Sequence, residues 1–221
     1  FSPFFLSTVL LFMGYVTPMD RLFVLAFSAY VTCLYQWAQQ PILETNEDDR
    51  VVMPSLPPQG HVPFLWINPL GLTITNSTLY QIWIQIGAVI GFLAPLTCMA
   101  WNLLSRFIRK VNYFSPSSMR LCGSPLFLLG CQVFSEAVAK RFMAPLPLRI
   151  LIPVAYNTYR LGSIWQWASC FQGGYNIERT LAWANFSYWN IHLFLFLLPI
   201  ATLRYMRAHF FCVEASEVSI R

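Results

Sequence analysis

The sequence predicts an all-α integral membrane protein, a bundle of about six helices of which four to six span the bilayer. Three observations carry that reading. Of the 221 residues, 57% are hydrophobic and only 10% charged, where a soluble domain carries about 25% charged residues. Several apolar runs reach the roughly 20 residues that cross a bilayer. Fifteen prolines and 17% aromatics add to the departure from a soluble composition. The chain reads as a single membrane domain over 1–221, with no internal repeat. It opens at Phe1, already inside an apolar run, which suggests a processed start with further chain upstream.

Residues 1–16, "FSPFFLSTVLLFMGYV", read as a first apolar helix. "TPMD" follows as a turn and helix start, where Thr17 or Asp20 can cap and Pro18 suits a first turn. A second helix covers roughly 19–38, with Tyr35 and Trp37 at its far end, where aromatics favour the membrane–water boundary. Residues 39–75 form a long extended, proline-rich extramembrane connection. Prolines at 54, 57, 58, 63 and 69 forbid regular helix there. Phe64 and Trp66 in that segment read as contacts to the membrane face or to a partner.

The third helix is expected over 76–108, capped by Asn76 or Ser77 and kinked at Pro95. Its Gly87 and Gly91 stand at i, i+4, a spacing that lets a second helix approach closely. Asn76-Ser77-Thr78 is also a glycosylation sequon, meaningful only in a secretory-pathway membrane. A fourth helix is read over 124–142, opened by Ser124-Pro125, and a fifth over 147–170, with Pro153 in its first third. Gly173-Gly174 breaks the chain before a sixth helix over 178–209. Residues 210–221 are a short tail.

Charge is uneven. Residues 39–75 hold Glu44, Glu47, Asp48 and Asp49 against Arg50, whereas 106–207 hold eleven Lys or Arg against Glu136 and Glu178. Basic flanks favour the side from which insertion occurs. Six strict spans would put the basic "LRYMRAH" on the acidic side, so one segment among the fourth and fifth helices is expected not to cross fully. Arg106, Arg109 and Lys110 end the third helix, where cations suit the helix C-terminus and anionic lipid headgroups.

The polar residues concentrate in "QVFSEAVAKRFMAPLPLRILIPVAYNTYR", residues 132–160. Glu136 and Lys140 at i, i+4 can form an ion pair in the favourable orientation. An unpaired charge within a bilayer costs at least ~2.5–3.5 kcal/mol. Three readings stay open for Glu136, Lys140, Arg149, Asn157 and Arg160: a solute path, a polar lock between helices, or a helix end among the headgroups where Lys140 and Arg141 snorkel. Asn157 and Arg160 share a face and suit a carboxylate, a headgroup or backbone carbonyls.

His192, beside Trp189 in an apolar stretch, is either a hydrogen-bonded packing residue or a ligand to the magnesium of a chlorophyll. The cysteines at 33, 98, 122, 131, 170 and 212 are scattered without a C-x-x-C pair, so no metal or redox motif is expected. No catalytic constellation emerges, and the near absence of acids within the helices weighs against proton-coupled pumping.

"PLFLLGCQVFSEAVAKRF" (125–142), "LPLRILIPVAYNTYRLGSIWQW" (146–167) and "RTLAWANFSYWNIHLFLFLLPIATLRY" (179–205) resemble a family of plant and algal multi-pass membrane proteins of unknown function. The pattern falls on Gln132, Phe134, Glu136, Leu146, Pro147, Arg149, Pro153, Tyr156, Asn157 and Arg160. It departs at Tyr159-Arg160, where the family has a basic pair, and in the 39–75 loop. The resemblance implies a photosynthetic eukaryote and a chloroplast membrane, thylakoid or inner envelope, and carries over no catalytic residue.

Function is therefore expected to be that of a non-catalytic subunit or assembly factor of a larger membrane complex. Other membrane subunits and lipids are the expected partners, and nucleic acid is not. The second expectation is a small transporter or channel for an anion, lipid or metabolite, using Arg149, Asn157 and Arg160. The third is a pigment-binding antenna subunit with His192 as ligand. Chlorophyll, carotenoid or structural lipid is the class of small molecule that such surfaces take.

Overall fold

The computed structural model describes residues 3–38, 69–109, 116–170 and 176–210, and every regular element among them is helical. The first helix, α1 (Pro3–Phe12), stops four residues short of the end of its apolar run. Gly14 sits at φ 73. Its N–H donates to Leu11 O at 3.2 Å, and the Tyr15 N–H donates to Leu10 O at 3.3 Å. These two bonds are the Schellman pair that closes a helix at a left-handed residue. The next helix, α2 (Pro18–Ala38), opens on a reciprocal cap. The Asp20 N–H donates to Thr17 Oγ1 at 3.2 Å, while the Thr17 N–H and hydroxyl donate to Asp20 Oδ2 at 3.3 and 2.6 Å. Both expected capping residues therefore act together, as a capping box.

Within the connection read as extended, one helical turn forms, α3 (Leu72–Thr75), after Gly71 at φ 79. It lies beyond the last proline of the segment, where the helix prohibition no longer applies. Phe64 and Trp66 lie outside the described residues. The expected third helix is a continuous rod of α4 (Thr78–Ala88), a π-helical turn (Val89–Leu93) and α5 (Ala94–Arg109). The widened turn has a cause in Pro95. In an i→i−5 register residue 95 would donate to Ile90 O, but proline has no N–H. The side-chain amide of Asn185 supplies the missing donor, at 2.6 Å from that carbonyl.

The helix expected to open at Ser124-Pro125 begins at Pro116 instead and runs through Pro125, as α6 (Pro116–Arg141). Pro116 takes the first-turn position, and an interior proline is tolerated where neighbouring helices pack closely. The turn after α6 is a second Schellman closure, with Met143 at φ 52 in the place glycine usually takes. The Met143 N–H donates to Lys140 O at 3.2 Å, and the Ala144 N–H donates to Ala139 O at 2.9 Å. Two prolines then start α7 (Leu146–Ser169), Pro145 as cap and Pro147 in the first turn. The last rod is α8 (Asn176–Ile191), a long π-helical stretch (His192–Thr202) containing Pro199, and α9 (Leu203–Phe210).

Among the described residues three helices are long and apolar enough to cross a membrane: Thr78–Ser105, Met119–Arg141 and Ile177–His209. Length and composition do not confirm the expected four to six. At ten residues, α1 is ~15 Å long, half the ~30 Å hydrocarbon core.

The centre of the bundle is α6, which packs most extensively against α7 and then against α1. Leu126 and Leu128 of α6 meet Ile152, Tyr156 and Trp167 of α7 in the main core, with Leu10 of α1 and Ala182 of α8. Lipid tails are as apolar as leucine, so the gain here is dispersion from close fit rather than escape from water. Gly123 permits one such fit: a Cβ there would stand 2.8 Å from Tyr15 Cβ and 3.0 Å from its carbonyl. Asp20 adds a polar fastening at the same place, because Ser124 Oγ of α6 donates to its Oδ2 at 2.5 Å.

Candidate functional site

One face of α7 carries Arg149, Pro153, Asn157 and Arg160, at i, i+4, i+8 and i+11. Asn157 is 0% and Arg160 1% exposed. The Asn157 amide donates to Pro153 O at 2.9 Å, and Arg160 Nη2 donates to Asn157 Oδ1. Above the guanidinium lies the indole of Trp189, with its ring centroid 3.8 Å from Arg160 Cζ. A desolvated cation on an indole face is the strong form of the cation–π contact. Trp189 Nε1 in turn donates to Asn185 Oδ1 at 2.9 Å, and Asn185 holds the Ile90 carbonyl described above. A continuous polar chain thus runs from the Pro153 carbonyl of α7, through α8, to the π turn between α4 and α5.

A second fastening lies beside it. Trp83 Nε1 donates to His192 Nδ1 at 3.1 Å, and the Tyr188 hydroxyl donates to Trp83 O at 3.0 Å. The Trp83 and Tyr188 rings stack with centroids 4.6 Å apart. These contacts need the glycines of α4 and the π turn. A Cβ on Gly87 would overlap the Tyr188 phenol, and one on Gly91 would stand 2.7 Å from Trp189 Cζ2. An imidazole that accepts at Nδ1 carries its proton on Nε2, so His192 as placed offers no free lone pair to a metal. A pigment-ligand role would require the Trp83 bond to break.

Glu136 lies within electrostatic range of Lys140 and Arg160 and accepts a hydrogen bond from Gln132 Nε2 at 2.9 Å. Lys140 is exposed. Three polar atoms at this level are buried without a hydrogen-bond partner among the described residues: Arg160 Nε, Arg160 Nη1 and Gln132 Oε1. Arg149 is buried three turns away, ~16 Å along the axis, near the seam where Leu146 meets Tyr205 and Ala208 of α9. It does not join Arg160 in one site. The backbones of Arg106 and Arg109 close α5, and Lys110 lies outside the described residues. Among the described residues no group of three or more His, Cys, Asp or Glu is placed to hold a metal ion.

Sequence reasoning named Arg160 and Asn157 but not Trp189, Asn185 or Trp83 as their surroundings, nor Asp20 with Ser124. Asn185 and Trp189 at i, i+4 carried a local signal. The 104-residue separation of Asp20 and Ser124 carried none.

Residues 68–210 match the family described as a Domain of unknown function (DUF7733). The match covers more than half of the chain, which therefore belongs to that family. No curated protein and no solved structure matches the chain.

Proposed function

We propose that this DUF7733 protein is a non-catalytic integral membrane protein, acting as a subunit or assembly factor of a larger membrane complex. The observation that carries the reading is the use made of Arg160. A charge that is costly inside a bilayer is closed under Trp189 and tied to Asn157 where α7, α8 and the α4–α5 rod meet. Spending an arginine on a three-helix junction suits a rigid scaffold. The outward faces favour partners as well. Leu25 and Trp37 of α2 are 70% and 76% exposed, and Leu79 and Trp101 line the outside of the α4–α5 rod. In this reading α2 and α7 complete a set of four to six spans, and the Phe64–Trp66 segment reaches a partner. The resemblance to plant and algal proteins favours a chloroplast membrane in this reading.

A second reading, a small transporter for an anion, is favoured by the unpartnered Nε and Nη1 of Arg160. Arg160→Leu separates the two. Mild-detergent extraction and native-gel sizing with mass spectrometry should show the wild type in a large, reproducible assembly that the variant leaves. A variant that keeps its assembly but abolishes anion uptake refutes the subunit reading. The absorption spectrum of the same particle tests for pigment.

A further inference from the structure

Between α1, α2, α6 and α7 lies a groove of about 970 Å³ that the polar network does not use. It exists because α2 rests on α6 and α7 far more sparingly than α1 rests on α6. Phe27 and Val31 of α2 form one wall, Phe134 and Val138 of α6 the other, with Ile152 of α7 at the floor. Several hydroxyls on its lining are bonded within the protein: Thr32 Oγ1 donates to Ser28 O at 2.8 Å, the Tyr35 hydroxyl to Phe142 O at 3.1 Å, and Ser135 Oγ and the Tyr156 phenol lie 3.4 Å apart. The groove thus presents hydrocarbon.

We infer that this groove binds the acyl portion of one anionic membrane lipid, with its headgroup at Lys140 and Arg141. Length, access and charge point to the occupant. On α6 the lining runs from Phe127 to Phe142, ~22 Å at the helical rise, so it exceeds the ~15 Å depth of one leaflet's hydrocarbon and takes an extended acyl chain along its length. One wall is a helix apolar enough to cross the membrane, so lipid has direct access. Charge fixes the headgroup: Lys140 and Arg141 are exposed in the last turn of α6, beside the lining residues Ala139 and Phe142. Cations so placed attract phosphate. The inference needs only the membrane setting and stands apart from the subunit reading.

The test is reconstitution of the full chain into vesicles of equal parts phosphatidylglycerol and phosphatidylcholine, then detergent extraction and native mass spectrometry. Wild type should retain one phosphatidylglycerol with roughly tenfold preference over phosphatidylcholine. Val31→Trp, which fills the groove, should cut retention at least ~10-fold with unchanged elution. Where it does not give a monodisperse protein, Val138→Trp at the rim, 37% exposed, is read instead. Lys140→Gln with Arg141→Gln should keep a lipid but lose the preference. A wild type that retains no lipid, a groove-filling variant that retains as much, or a double variant that still prefers phosphatidylglycerol each overturns the inference.

Discussion

Replacing Gly91 with alanine should loosen the junction that holds Arg160. The new methyl would stand 2.7 Å from Trp189 Cζ2 and 3.0 Å from Nε1, closer than side-chain carbons tolerate. The backbone of the π turn is pinned by Asn185 on the adjacent Ile90 carbonyl, so the indole must move. Overpacking of this kind costs ~1–3 kcal/mol. Displacing the indole also weakens its contact with the guanidinium, a further ~0.5–1 kcal/mol. A total of ~2–4 kcal/mol lowers the melting temperature by ~4–16 °C for a chain of this size, read by circular dichroism in detergent. Gly162→Ala is the control. A Cβ there meets nothing within 4 Å, and alanine exceeds glycine in helix propensity by ~0.8–1 kcal/mol, so its melting point should hold or rise. The reasoning fails if Gly91→Ala melts within ~2 °C of wild type, or if Gly162→Ala falls as far.

Two further outcomes are expected. Ser124→Ala removes a hydrogen bond to the buried Asp20 carboxylate and should cost ~1.5–3 kcal/mol; denaturant titration showing under ~0.5 kcal/mol would count against a polar clasp between α2 and α6. Met143→Gly should stabilise by ~1–2 kcal/mol, because glycine adopts the left-handed conformation without the Cβ penalty and the Met143 side chain is 42% exposed; a lower melting point would show that the thioether packs usefully.

The helical class was legible from composition, and the i, i+3 spacing of Asn157 and Arg160 placed those two on one side of a helix. What covers that side was not legible. Trp189 lies 29 residues beyond Arg160, and no local pattern states which helix faces which. The misplaced start of α6 has a similar origin. Ser124-Pro125 carries a helix-start signature, yet the same signature lies at Ser115-Pro116, and close packing around Gly123 and Ser124 lets the helix continue. The width of the turn at 89–93 was hidden too, since Pro95 signals a lost hydrogen bond but not the distant amide that replaces it.

The π turn also sets an angle. Each residue of an α-helix advances ~100°, so the extra residue accommodated in 89–93 rotates everything after it relative to everything before. It is by this rotation that α5 presents Asn102 to α6, where its amide lies 2.8 Å from Met119 Sδ, while α4 presents Gly87 to α8. Removing one residue from the turn would leave both helices intact in length and composition and swing Met99, Asn102 and Ser105, all buried, away from their seam. The bulge works as a phase shim: it lets a single continuous segment serve two neighbours that lie in different directions.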